Sequence, residues 1–304
     1  MNKNENIIEI AMDSENLKPF QTHYANFFQV YDFAIAIIDN EAIRLHDQFL
    51  KINQPYRIKE GRILIFEKGE VDLTFNLLPI KIKAGNIAII PKDALIEFKH
   101  ISNDIEAKFI AYNDRNSDFF KDSAPVFDVN FRNKIIITTP EKEDKQQLMQ
   151  IFELIWQTAH TEPLRKNTLK HLIKAFLYDI LYIDNVQQAE NINRHISRGE
   201  EIFQNFISLV SQHCKESRQV NYYADKLCLT PKYLSSVITK QSGKSIMQWI
   251  NEAVILEAKI LLRYSNLAIF QVADELNFPN PSFFTKFFLR MTGMTPKEFR
   301  NKKQ

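Results

Sequence analysis

The stretch FPNPSFFTKFFLRMTG, residues 278–293, combines a rigid start with side chains that can bind an anion or share hydrogen bonds. Thr285 can donate and accept a hydrogen bond, whereas Lys286 and Arg290 carry positive charge. The interleaved aromatic residues predict a buried face, and we expect four to lie in the core: Phe283, Phe284, Phe287 and Phe288. The stretch therefore predicts a short helix with an aromatic inner face and a basic, hydroxyl-bearing outer face.

A second segment repeats this arrangement, since Gly243 and Gly293 close equivalent stretches 50 residues apart. Thr230-Pro231 and Asn280-Pro281 each place a capping side chain before a proline, which is typical of a helix start. The closing glycine permits the left-handed conformation that commonly ends a helix. The residues expected to be buried in the earlier helix are Leu234, Val237 and Ile238.

A shorter helix precedes each segment, and each pair predicts a helix-turn-helix unit. Ala224 and Ala273 lie in the shorter helices, where a small side chain lets two helices cross closely, and Cys228 and Asn277 stand at the turns. In such a unit the second helix presents its polar face to a major groove, N-terminal end first. Residues 245–265 predict a connecting helix of roughly 20 residues, about 30 Å long and close to one turn of B-DNA.

The charge distribution favours a polyanionic partner for this part of the chain. Residues 197–304 contain 15 Lys and Arg against 9 Asp and Glu, a net charge of +6, while the remaining residues carry −4. A basic C-terminal third on an otherwise acidic chain indicates nucleic acid.

The preceding residues predict a different architecture. Residues from about 20 to 112 contain short runs that alternate apolar and polar residues, such as VDLTF, separated by turn residues, which indicates a small sandwich or barrel. Residues from about 140 to 190 switch to helical periodicity, with a break at Thr161-Glu162-Pro163. The two amphipathic helices so predicted could pack on the strands or form a dimer seam, and the sequence leaves both open.

Composition limits the remaining classes. A chain of 304 residues suits about two domains, it has no apolar run long enough to span a bilayer, and its polar, acidic N-terminal segment is unlike a secretory signal. Cys214 and Cys228 form neither a metal-binding spacing nor a disulfide framework, so we expect a reduced, cytoplasmic location.

Residues 198–302 resemble the DNA-binding domain of the AraC family of transcriptional regulators. The family's ending G-x-[ST]-P-x-x-[FY]-R stands here as Gly293-Met294-Thr295-Pro296-Lys297-Glu298-Phe299-Arg300. Its A-x-x-L-L motif appears as Ala258-Lys259-Ile260-Leu261-Leu262. Its [IV]-A-x-x-x-x-F motif appears as Val272-Ala273 with Phe278.

The sequence departs from this family at three positions. Asn277 stands where Gly is usual, and Asn tolerates the left-handed conformation that a turn needs. Val254 stands on the linker helix where the family often carries Arg, so a phosphate or packing contact of the family is not expected there. Ser236 also stands where Arg is frequent, so we expect softer or water-mediated base reading by the first unit.

The resemblance implies a bacterial, sequence-specific DNA-binding regulator, an activator as in most of the family, dimeric, with RNA polymerase as a further partner. Outward positions of the second helices would read bases: Lys232, Ser235, Ser236, Pro281, Ser282, Thr285 and Lys286. Other cations would contact phosphates: Lys240, Lys244, Arg290, Lys297 and Arg300.

For the N-terminal region the resemblance implies a cupin-like β-barrel that senses a small-molecule effector or supports dimerisation. The side chains that would line a ligand pocket, or simply fill the core, are Phe33, Phe66, Phe75 and Phe98. A metal-dependent cupin enzyme would need an HxH pair, which the chain lacks, because His23, His46 and His100 are isolated from one another. We therefore expect no metal, no cofactor and no catalytic site.

These observations predict an α+β multidomain protein. It has an N-terminal all-β cupin-like barrel with flanking helices and a C-terminal all-α domain with two helix-turn-helix units on a long linker helix. The expected segments are an N-terminal tail (1–20), the barrel (21–138), a helical connector (139–197) and the DNA-binding domain (198–304). Two alternatives remain: an architectural DNA binder indifferent to sequence, and a cupin-type enzyme fused to a helical domain.

Overall fold

The computed structural model describes residues 9–10, 27–30, 33–38, 52–112, 134–190 and 197–301. The strands in these ranges are β1 (Glu9–Ile10), β2 (Phe27–Val30), β3 (Phe33–Ile38), β4 (Pro55–Ile58), β5 (Gly61–Lys68), β6 (Glu70–Phe75), β7 (Leu78–Lys83), β8 (Ile87–Ile90), β9 (Leu95–Ile101), β10 (Glu106–Tyr112) and β11 (Ile136–Thr138). The helices are α1 (Lys142–Ala159), α2 (Lys166–Glu190), α3 (Arg198–His213), α4 (Val220–Lys226), α5 (Pro231–Ser242), α6 (Ile246–Tyr264), α7 (Ile269–Glu275), α8 (Pro281–Thr292) and α9 (Pro296–Asn301).

The strands form two sheets, because their alternating sequences give each sheet an apolar face to bury. One sheet has the order β1-β4-β9-β6-β7 and the other β11-β8-β5-β10-β3-β2. In β6, Val71, Leu73 and Phe75 are buried while the residues between them are half-buried, as alternation predicts. β1 pairs with β4 in parallel, so residues 9–10 add a strand where the sequence predicted only a tail.

Two cores support the N-terminal region. The inner faces of both sheets meet in one core that includes Tyr56 and Leu73 from the first sheet and Phe66 and Ile90 from the second. The outer face of the six-stranded sheet is covered by α1 and α2, whose buried residues, such as Phe152, join it in a second core. The apolar stripes of these helices therefore pack on the sheet.

The C-terminal helices α3–α9 surround a core of their own, which includes Tyr223, Trp249 and Phe284. The predicted fold class, an all-β N-terminal region with flanking helices followed by an all-α region with two helix-turn-helix units, is confirmed. Within the ranges given above, no helix is both long and apolar enough to cross a membrane.

The two regions contact each other at a junction formed by β4 and the β6–β7 hairpin on one side and α3 and α6 on the other. Leu77 and Leu78, at the hairpin tip, pack against the C-terminal core. Glu257 of α6 is 1% exposed. Its carboxylate pairs with the guanidinium of Arg57 in β4 and lies 3.3 Å from the Lys215 ammonium. A buried carboxylate held by two cations thus joins the regions.

Candidate nucleic-acid interface

The first helix-turn-helix unit consists of α4 and α5. Its turn places Cys228 at φ 54°, and the Leu229 N–H donates to the Ala224 carbonyl at 2.9 Å. The Thr230 hydroxyl accepts from the Tyr233 N–H at 3.2 Å and caps α5. Gly243 ends α5 in the left-handed conformation, with φ 70°.

The second unit, α7 and α8, repeats these contacts. Asn277 occupies the turn at φ 53°, and the Phe278 N–H donates to the Ala273 carbonyl at 2.9 Å. The Asn280 side chain caps α8 by accepting from the Phe283 N–H at 3.1 Å, and Gly293 ends it at φ 75°. The predicted caps, turns and stops are confirmed in both units, because each depends on residues adjacent in sequence.

The small residues of the shorter helices lie where two helices meet. Ala224 and Ala273 are both fully buried, so a larger side chain at either position would force the helices apart. Both turns are thereby fixed on the C-terminal core, and each second helix is presented at the surface.

One aromatic residue departs from the prediction. Phe284, Phe287 and Phe288 are buried, but Phe283 is 60% exposed. Buried positions of an amphipathic helix recur at three and four residues, and the first turn of α8 offers only one inward position in this stretch, which Phe284 occupies. The prediction that Phe283 is core was therefore wrong.

The structure places most of the expected base-reading residues on the outer faces of α5 and α8. Ser235 and Thr285 are half-buried, and the other five are exposed: Lys232, Ser236, Pro281, Ser282 and Lys286. The Thr285 hydroxyl donates to the Pro281 carbonyl at 2.9 Å, so only its acceptor capacity remains for a base.

The expected phosphate-contacting residues divide into two groups. Lys240, Arg290 and Lys297 are exposed, and within the described ranges they form no ion pair. Lys244 pairs with the Glu252 carboxylate at 2.8 Å and lies 4.5 Å from the centre of the Trp249 ring. Its charge is therefore partly neutralised within the protein.

Arg300 has a structural role that the sequence did not predict. Its guanidinium donates to the Leu262 carbonyl at 3.0 Å and to the Leu267 carbonyl at 2.8 Å. Burial lowers the pKa of Arg300. Because two of its donors hold α9 on the end of α6, Arg300 is a tether within the fold, which differs from the phosphate contact expected from sequence.

The units are linked both through α6 and through a contact that sequence reasoning missed. The 19-residue α6 is about 28 Å long, and it starts with a capping box between Ser245 and Gln248. Across the units, the Arg218 guanidinium lies 3.8 Å from the Phe278 ring centre and donates to the Asn277 carbonyl. The Asn277 amide in turn donates to the Glu216 carbonyl at 2.9 Å, so the segment before α4 holds the second turn. The residues join two distant segments, and nothing local in the sequence signals this.

The expected pocket residues of the N-terminal region do not come together as one set. Phe66 and Phe75 are buried between the sheets, and Phe98 packs against them. Phe33 belongs to the other core, beneath α1 and α2. A polar cleft of about 570 Å³ lies instead at the junction of the two regions. Its lining includes Arg57, Asn76, Lys92, Lys215, Glu257 and Asp274.

Of the histidines considered from sequence, His23 and His46 lie outside the described residues. His100 lies opposite Asp72 on the outer surface of the sheet and, with Glu70, offers ligand atoms within 4.8 Å of one another. The Lys81 ammonium already lies 2.7 Å from Glu70 and 3.7 Å from Asp72. Both carboxylates therefore already pair with a cation of the protein itself.

Comparison with known proteins agrees with this geometry. Residues 223–302 match the family described as "Helix-turn-helix domain". The arabinose operon regulatory protein of Salmonella typhimurium is 32% identical over 92 residues, 30% of this chain and 33% of that protein. An uncharacterised HTH-type transcriptional regulator of Bacillus subtilis, YobQ, is 35% identical over 95 residues, 31% of this chain and 39% of the relative. The matched stretch spans about a third of these relatives.

The chain also aligns with unsaturated-fatty-acid-bound ToxT of Vibrio cholerae, with a TM-score of 0.38 and 16% identity, over 89% of this chain and 95% of that one. The C-terminal matches are specific: α4–α9 form a helix-turn-helix domain, and the predicted resemblance of this region to AraC-type domains is confirmed. These two relatives are named as an operon regulatory protein and an HTH-type transcriptional regulator.

Proposed function

We propose that this protein is a sequence-specific DNA-binding transcription regulator that places α5 and α8 in successive major grooves on one face of the duplex. One observation carries the proposal: two recognition helices with equivalent N-caps, starting prolines and closing glycines are joined by one connecting helix. A connecting helix of about 28 Å approaches one turn of B-DNA, so both helices can engage one duplex.

The charges on the two outer faces suit this role. Lys232 and Lys286 project from the base-facing sides, and Lys240 and Arg290 lie one to two turns further along the same helices. Cations near the groove floor can specify guanine, whereas those further out bind phosphates and add affinity that falls with salt.

For the N-terminal region we propose an effector-binding or dimerisation role, with residues 21–138 as the sensing domain and 139–197 as the connector. Three exposed apolar side chains on the connector helices suit a dimer seam: Leu154, Tyr182 and Val186. The junctional cleft suits a small polar effector, because it is lined by cations, carboxylates and amides. If the protein activates transcription, RNA polymerase is its further partner.

The test is selection of bound sequences from random duplex DNA by the full-length protein at near-physiological salt. We expect a consensus with two short elements about one helical turn apart. A single element would mean that only one recognition helix reads bases. Absence of any consensus, with and without candidate effectors, would contradict sequence-specific regulation.

The second candidate function is architectural DNA binding, and the outer face of α5 favours it for the first unit, because Ser236 stands there at the position that Lys286 occupies on α8. An architectural protein would bind all sequences with similar affinity and a steep salt dependence. The same selection separates the two, since only a regulator enriches a motif.

A further inference from the structure

Each recognition helix exposes an aromatic side chain at the same position in its first turn. Phe283, the third residue of α8, is 60% exposed, and Tyr233, the third residue of α5, is 46% exposed. Both positions follow the N-terminal proline by two residues, and both precede a fully buried residue, Phe284 or Leu234. Both units thus expose an aromatic ring to solvent at the equivalent position, which indicates a surface that a binding partner covers in a complex.

The helical period puts each ring among the groups proposed to contact DNA. Phe283, Lys286 and Arg290 are spaced by three and four residues and so form one stripe along α8. Tyr233, Ser236 and Lys240 form the equivalent stripe on α5. In a helix-turn-helix unit the first turn of the recognition helix approaches the base edges most closely. On the helix face that enters the groove, the ring therefore lies in the first turn and the cations lie in later turns.

The two faces differ in polarity. α8 exposes two further apolar side chains towards its C-terminal end, since Leu289 is 43% exposed and Met291 is 36% exposed. The positions of α5 that correspond to these two are Thr239 and Gln241, both polar and exposed. Tyr233 also carries a hydroxyl, whereas Phe283 offers only carbon. The second unit thus has an apolar recognition face and the first a polar one.

The apolar group that a base presents in the major groove is the C5-methyl of thymine, which Phe and other apolar side chains contact. We propose that Phe283 reads a thymine methyl group, so that the half-site bound by α8 requires thymine at one position while the half-site bound by α5 is read mainly through polar contacts. This inference rests on the proposed function. Lys286 and Arg290 on the same stripe favour DNA over a protein partner, since Lys286 suits a guanine edge near the methyl group and Arg290 suits a flanking phosphate.

The experiment uses the full-length protein and the duplex found by selection. Each thymine is replaced, one at a time, by deoxyuridine, which removes only the methyl group, and the dissociation constant is measured. We expect one substitution in the α8 half-site to weaken binding about fourfold, the effect of losing one buried methyl contact. In Phe283→Ala the same deoxyuridine should cause no further loss, because the partner of the methyl group is gone.

Phe270→Ala is the matched control, since Phe270 is 54% exposed but lies on α7, outside the recognition helix. This variant should retain the fourfold deoxyuridine effect even if its overall affinity changes. Phe283→Leu should retain part of the effect, because leucine is also apolar.

Three results would overturn the inference while leaving the proposed function intact. The first is specific binding that is insensitive to deoxyuridine everywhere in the α8 half-site. The second is a methyl effect that persists in Phe283→Ala. The third is a Phe283→Ala variant that binds DNA normally but loses reporter activation, which would assign the ring to a protein partner. Binding with no sequence preference at all would overturn both the inference and the proposed function.

Discussion

Lys286 and Ser236 occupy equivalent positions on the two recognition helices but differ in charge. The residue at this position should therefore contribute more to binding and base preference in the α8 half-site than in the α5 half-site. Lys286 is exposed and forms no ion pair within the described ranges. We expect Lys286→Ala to relax the preference at one base position of the α8 half-site, costing about 1–3 kcal/mol on the consensus duplex. The measurement is a set of dissociation constants on the consensus and its single-base variants.

Ser236→Ala is the control for this prediction, and it should change binding less, because a hydroxyl contributes a weaker contact than a cation at a guanine. If Lys286→Ala weakens binding equally on every sequence, Lys286 contacts a phosphate and reads no base.

The two cysteines should differ sharply in reactivity. Burial, reinforced by the nearby Glu257 carboxylate, raises the pKa of Cys214 to about 12, whereas Cys228 is exposed at the first turn. Only the thiolate is nucleophilic, so Cys214 should stay unreactive up to about pH 9 in the folded protein. We expect one thiol per chain to react quickly with an aromatic disulfide reagent at pH 8, and none in Cys228→Ser. Rapid reaction of the variant would show that α3 opens readily.

At the scale of the elements, both helix-turn-helix turns need one residue in the left-handed conformation, and the two turns use different residues for it. Cys228 at φ 54° has no feature that favours the left-handed region, whereas Asn277 at φ 53° is a residue that tolerates it. Cys228→Gly should therefore raise the free energy of unfolding by about 1 kcal/mol. Asn277→Gly should give no gain, because it also removes the amide that donates to Glu216.

Urea unfolding of the full-length variants checks this comparison, with helical circular dichroism as the signal. Equal gains from both substitutions would mean that the Asn277 amide contributes nothing to the fold. A loss in Cys228→Gly would mean that the thiol makes a favourable contact at the turn.

The sequence predicted those features of the elements that are set by residues adjacent in the chain, and it missed those that depend on contacts between distant segments. Thr230-Pro231, Asn280-Pro281 and the closing glycines act within one turn, so the limits of α5 and α8 followed from the sequence alone. Phe283 was wrongly predicted to be buried because four aromatic residues lie close together in this stretch. The equivalent residue 50 positions earlier, Tyr233, was not among those predicted to be buried, and this comparison would have placed Phe283 on the outer face. The tether formed by Arg300 depends on a backbone brought close only by the fold.

At the scale of the whole molecule, Glu257 links the two regions through a carboxylate that is nearly inaccessible to water. Glu257→Gln would remove the charge that balances the Arg57 guanidinium, whose side chain is 15% exposed. Loss of one member of a buried pair is costly, so we expect the free energy of unfolding to fall by about 2 kcal/mol or more. The control is Glu252→Gln, because its pair with Lys244 is partly exposed on both sides and should contribute below about 1 kcal/mol. Similar effects from the two substitutions would show that the junction is loosely held.

The hairpin tip indicates that docking of the two regions is maintained at a cost in backbone strain. Leu77 has φ 74°, a conformation that a tight hairpin normally assigns to glycine, yet it packs on the C-terminal core. Leu77→Gly removes that contact and relieves the strain, so its net effect on the free energy of unfolding should stay within about 1 kcal/mol. Leu78→Ala removes a neighbouring contact from ordinary backbone and should cost about 1–2 kcal/mol. Calorimetry should show the two regions unfolding at more widely separated temperatures in both variants. If Leu77→Gly is the more damaging of the two, the left-handed conformation is well tolerated by leucine here, and strain is not the reason that this position is unusual.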